Sequence, residues 1–169
     1  MNLNEAKQEL IEHGYIIKES NTPTYVKGKR NMYSKMNNQD LVVAFYAHWI
    51  GYDSDGMKSG TSNNPTCEKI DNMLYKRLGL VWDEACNKLN AEVTKITEEA
   101  YPIKGKPRYI DIMKQAKAAW PNVVIYLVDN MGKVFQDARE KVKANEEEYK
   151  SRGYTDEYIW GEDVKGKLE

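Results

Sequence analysis

Residues 41–50 read Leu-Val-Val-Ala-Phe-Tyr-Ala-His-Trp-Ile, ten consecutive positions without a formal charge. No other stretch of the chain is apolar on every face, so any fold must bury this one and arrange the rest around it. The flanks point to a helix. Asn37, Asn38, Gln39 and Asp40 supply capping side chains and an acidic first turn, and Gly51 follows as a stop. The β-branched and aromatic residues at the start of the run favour a strand instead. Length and flanks together predict a buried helix.

The other elements follow from periodicity and punctuation. Residues 2–13 form an expected first helix, with Asn2 as cap, Leu3, Ala6 and Leu10 on one face and Gly14 as the break. Residues 15–17 and 24–26, joined across Asn21-Thr22-Pro23, read as a small β-hairpin. Asn64-Pro65 opens a helix whose stripe is Ile70, Met73, Leu74 and Leu78, closed by Gly79. A second helix, carrying Trp82, Ala85, Cys86, Leu89, Val93 and Ile96, runs to about Ala100. Tyr109, Ile112, Met113 and Ala116 mark a short helix ending at Trp120, and Pro121 opens the next stretch.

There two readings stand. Val124, Leu127, Met131, Phe135, Ala138 and Val142 fit one helical face, whereas residues 123–128 and 133–135 around Asp129-Asn130-Met131-Gly132 fit a hairpin. The helical stripe is the longer match. Residues 136–150 read as a charged helix in either case. The fold class expected is mainly α (α+β): one domain over 1–169, a helical bundle with a small N-terminal β-hairpin and a possible second hairpin near 123–135.

Composition removes several function classes. Twenty-five basic residues nearly cancel twenty-six acidic ones, which excludes a strongly basic nucleic-acid binder or a strongly acidic charge mimic while leaving local patches open. Cys67 and Cys86 make no disulfide framework and suit a reducing, cytoplasmic setting. The start of the chain lacks a signal-peptide layout. The apolar run is also well short of the roughly 20 residues of a membrane span. Twelve tyrosines stand against two phenylalanines. Tyrosine suits wet interfaces, although an AT-rich coding bias produces the same ratio.

No catalytic or cofactor motif emerges, and the sequence nominates no catalytic, cofactor-binding or metal-ligating residue. His48 has a catalytic reading as a general base, set against that of a neutral core histidine with one hydrogen-bond partner; the second is preferred. His13 suits a helix C-terminus. Cys67, in the first turn of its helix, is placed to have its thiol pKa lowered by the dipole, and Cys86 belongs to an apolar stripe and should be inert. Cys67, Cys86 and His48 lack the close pairing of a zinc site. Asp53-Ser54-Asp55-Gly56 opens like a calcium loop, but Met57 takes the next ligand position and no Glu closes it. Most carboxylates, such as Glu98 and Glu99, sit on charged faces without the grouping of a metal-dependent nuclease.

Two surface constellations remain. Lys27, Lys29 and Arg30, and again Lys104, Lys106 and Arg108, lie near Tyr25, Tyr33 and Tyr109, a combination that suits single-stranded nucleic acid through phosphate contacts and base stacking. Near the end of the chain, Asp156, Glu157, Tyr158 and Trp160 place carboxylates around two aromatics. That segment either anchors in a basic groove on a partner or docks on the chain's own core with its acids facing water. The glycine-, serine- and asparagine-rich residues 51–64 read as a long surface loop.

Asn4-Glu5-Ala6-Lys7, running to Gly14-Tyr15, resembles the opening of small accessory proteins of phages and mobile elements in Gram-positive bacteria. Some proteins of that kind are anti-CRISPR or other anti-defence inhibitors, which occlude a host protein. The resemblance implies a non-enzymatic binding protein that sterically blocks a bacterial defence (CRISPR effector) complex. Its partner would be a protein or ribonucleoprotein of the host, met in the host cytoplasm, with no membrane involved. The alternatives are a nucleic-acid-binding protein using the loops 27–30 and 104–108, and a small hydrolase or nuclease.

Overall fold

A computed structural model describes residues 32–52 and 65–162. The first helix and hairpin expected over 2–26, the basic residues Lys27, Lys29 and Arg30, and the tip of the 51–64 loop all lie outside those residues. Among the described residues there are seven helices and no strand: α1 (Met32–Lys35), α2 (Asn38–Trp49), α3 (Pro65–Leu78), α4 (Leu80–Ala100), α5 (Tyr109–Ala144), α6 (Glu146–Ser151) and α7 (Asp156–Trp160).

The apolar run is the buried helix α2. Leu41, Val42, Val43, Ala44, Tyr46 and Ala47 have no exposure at all. Its start is fixed as the flanks predict, with the Asp40 backbone N–H donating to Asn37 Oδ1 at 2.8 Å. The frame that encloses it is a long helical hairpin in which α4 runs against α5, with α3 covering α2 from another side. Trp82 on α4 sits where these elements meet. Its ring packs edge-on to Phe45 at 5.2 Å and is stacked with Phe135 of α5 at 6.2 Å.

Arg77 near the end of α3 ties α1 and α2 into this frame. Its guanidinium donates to the carbonyls of Met36 (2.6 Å) and Ser34 (3.0 Å), satisfying acceptors that the short α1 leaves open. Across the hairpin, Lys141 on α5 pairs with Glu84 on α4 at 3.2 Å.

The structure corrects the reading of Pro121. It does not open a helix but lies inside α5, a single helix of 36 residues. Proline removes one ladder bond and crowds the preceding turn, which costs ~3 kcal/mol in a helix interior. What outweighs it is burial on both sides of the proline: Ala116, Ala119 and Trp120 before it, Val123, Val124 and Leu127 after it, all on one continuous stripe. The same stripe continues through Phe135 to Val142, so 123–135 is helix and the hairpin reading falls. The charged helix expected over 136–150 is interrupted at Asn145, where α5 gives way to α6.

Candidate functional site

Among the described residues, His48 and Cys67 are buried and Cys86 is half-buried. His48 is 4% exposed, and its Nε2 lies 3.2 Å from the Tyr33 hydroxyl, as the core-histidine reading requires. Cys67 contradicts the helix-dipole reading. It faces the core, its thiol points to the Phe45 carbonyl at 3.9 Å, and burial pushes its pKa up to about 12. Desolvation of the thiolate outweighs the dipole of the first turn. Burial also raises the Cys86 thiol, as expected of an apolar stripe. Among the described residues no three His, Cys, Asp or Glu side chains are grouped to hold a metal ion. No helix among them is long and apolar enough to cross a membrane.

The acidic-aromatic segment is organised by docking. Residues 153–162 fold back across the junction of α3 and α4, with Ile159 fully buried as the anchor. Gly79, between those helices, has a positive φ of 61°, and Gly161, just past α7, one of 73°. Their backbones pass so closely that a Cβ on Gly79 would lie 2.5 Å from the Ile159 carbonyl oxygen. One on Gly161 would lie 2.4 Å from the Arg77 carbonyl. Only glycine fits either place. The Glu162 N–H then donates to the Lys76 carbonyl at 2.8 Å, and the two side chains pair at 3.6 Å.

This docking sorts the four residues expected there. Trp160 is half-buried and its indole N–H donates to Glu146 at 2.6 Å, so it braces the segment against α6 while the rest of its surface lines a groove. Asp156 pairs with Lys150 at 3.2 Å. Thr155 caps α7 by accepting from the Tyr158 N–H at 3.1 Å. Tyr158 is 57% exposed, and its ring leans on that of Tyr154 (4.9 Å), which in turn stacks with Tyr149 (6.0 Å). Beside this aromatic row a groove of about 840 Å³ separates α7 from the end of α5, lined by Arg139, Lys143, Glu146 and Glu157 among others. Over 146–162 six carboxylates face two cations, so the surface is acidic.

Tyr154 and Tyr149 were missed as site residues. Their signal was present in the sequence: tyrosines at 149, 154 and 158 among charges, with Gly153 between them to bring the first two together. Gly153 has a φ of 90°, and the Tyr154 N–H returns to the Tyr149 carbonyl at 3.1 Å.

The basic loop 104–108 stands at the other end of α5. Thirty residues separate Tyr109 from Arg139, about 45 Å along a helix. The structure therefore keeps the two constellations apart. Arg108 is held by Asp111, whose carboxylate accepts from its guanidinium at 3.0 Å, so that the Asp111 pKa is lowered. Lys104 and Lys106 remain exposed. Tyr109 is 58% exposed and Ile110, which periodicity did not single out, 49%.

No protein-family model, curated protein or solved structure matches the chain.

Proposed function

We propose that the chain is a non-enzymatic binding protein whose acidic, tyrosine-rich face on α6 and α7 seats in a basic groove of a macromolecular partner. The observation that carries this reading is the presentation of Tyr158 and Tyr154, exposed and in ring contact, on an element locked to the core by Ile159. Large aromatic side chains displayed on a rigid support are the residues that dominate binding energy, because little conformational entropy remains to be lost. Carboxylates at 146–148, 156 and 157 rim the row and complement a cationic surface.

A basic groove of that kind is what a nucleic-acid-handling complex offers. The resemblance of residues 4–15 to accessory proteins of phages and mobile elements points to a ribonucleoprotein of host defence, such as a CRISPR effector, as the partner. The mechanism is then steric: the acidic face fills the channel meant for nucleic acid.

The test is a pull-down from bacteria carrying an active CRISPR system, made with the intact chain and with a Tyr154→Ala, Tyr158→Ala variant, alongside a phage-interference assay. The expected result is an effector complex retained by the intact chain, released by high salt, lost with the variant, and protection of the phage in parallel. Retention of nothing, or equal retention by both proteins, overturns the reading.

A further inference from the structure

The six carboxylates between 146 and 162 are not equivalent. Glu148 pairs with Arg152 at 2.7 Å, and Lys150 bridges Asp156 at 3.2 Å and Glu146 at 3.9 Å. Glu146 also accepts the Trp160 indole N–H at 2.6 Å, so it is spent on the joint between α6 and α7. Glu162 is taken by Lys76 at 3.6 Å. Four of the acids are thus answered within the chain. Glu147 and Glu157 form no ion pair among the described residues, and only Glu157 stands on the element that carries Tyr158.

What the face offers a partner is then narrow: two rings and one uncommitted carboxylate. Tyr154 and Tyr158 are 37% and 57% exposed, with ring centroids 4.9 Å apart and planes tilted by 48°. The faces of both rings attract positive charge. An ammonium and a guanidinium would each satisfy Glu157, but they differ at the rings. The guanidinium is planar and weakly hydrated, so it lies on an aromatic face while its N–H groups reach a carboxylate. An ammonium gives up strongly held water to do the same. Phosphate finds no cation to meet here, because Lys150 and Arg152 are already paired.

Resting on the reading of α6 and α7 as the partner-binding surface, we infer that the group it recognises is an arginine side chain of the partner. The guanidinium lies against Tyr154 and Tyr158 and bonds to Glu157. Glu146, Glu148 and Asp156 hold the face in shape and do not touch the partner.

The experiment is an NMR titration of the full chain, isotope-labelled in its tyrosine rings, with blocked tri-arginine, tri-lysine and tri-citrulline peptides at one salt concentration. Tri-arginine should shift the ring signals of Tyr154 and Tyr158, assigned through Tyr154→Phe and Tyr158→Phe, with an affinity roughly threefold above that of tri-lysine. Tri-citrulline, which keeps the shape and loses the charge, should leave them in place. Glu157→Gln should weaken tri-arginine binding roughly threefold, whereas Glu148→Gln, which changes the net charge equally, should stay within about 1.5-fold. Both positions are exposed, and an unchanged helical circular dichroism spectrum verifies the fold. Tri-lysine binding as tightly as tri-arginine, equal losses from the two glutamine variants, or ring signals that do not move overturns the inference. An effector complex retained by a chain whose rings ignore tri-arginine leaves the basic-groove reading standing and removes the arginine one. Tri-arginine binding without capture of an effector removes the CRISPR reading alone.

Discussion

Trp82 is wholly buried, and its indole N–H donates to the Asp71 carboxylate at 2.8 Å. Removing the acceptor strands that donor in the core. Asp71→Ala should therefore lower unfolding free energy by about 1–3 kcal/mol in urea titrations. Asp71→Asn should cost clearly less, because it keeps an oxygen and removes a carboxylate whose charged form burial already disfavours. Cys67 gives a second prediction at this scale. Its pKa stands at about 12 in the fold against an ordinary 9.0, so ionisation favours the unfolded chain. The stabilising contribution is complete below pH 9 and is lost as pH rises toward 12. Between pH 7 and 10.5 the intact protein should lose on the order of 1–2 kcal/mol more than Cys67→Ala, measured by denaturant titration at each pH. The burial of Cys67 was legible: 67, 70, 74 and 78 are spaced three, four and four, which extends the apolar stripe of α3 back by one turn. Burial on that stripe decides the state of the thiol, whatever the dipole of the first turn contributes. What spacing did not contain was the partner of Trp82, since residues eleven apart on two helices meet only through the turn at Gly79.

At the scale of elements, periodicity carried furthest where burial is continuous. The limits of α3 and α4, the cap of α2 and the stripe of α5 were all readable, because each depends on local punctuation and a repeating apolar face. Pro121 misled because its effect on the backbone is local, whereas the burial that offsets it is tertiary. Trp120, 2% exposed and stacked on Tyr52 at 4.9 Å, holds α5 in place beside the proline. The docking of α7 was beyond sequence reasoning: five residues carry no period, and a helix that short does not persist alone. Its fit depends on the two glycines. Gly161→Ala should undock α7 while leaving α4 and α5 intact. Hydrogen exchange should then show the amides of 159–162 losing their protection and those of 85–93 keeping it. Protection unchanged across 159–162 would show that the close approach to Arg77 relaxes without cost. Because Tyr158 rides on α7, the same substitution should weaken partner capture as much as Tyr158→Ala does.

For the whole molecule, the core that the 41–50 run demanded encloses α2 against the α4–α5 pair, and the length of α5 sets Arg139, beside the acidic face, about 45 Å from Tyr109 at the basic loop. Charge reversal at Lys104 and Lys106 should leave partner capture within about twofold, as expected for a loop several screening lengths from the acidic face. A larger loss in a quantitative binding assay would show that the basic loop takes part in the same site.

The contact of Gly161 with Arg77 joins positions eighty-four residues apart in sequence. The helical hairpin of α4 and α5 closes from its turn outward, and even its Glu84–Lys141 pair spans only fifty-seven residues. Ile159 reaches its socket only when the longer loop to Arg77 is closed. Docking of α7 thus carries the larger loop-closure cost, and the core is complete only when Ile159 is seated.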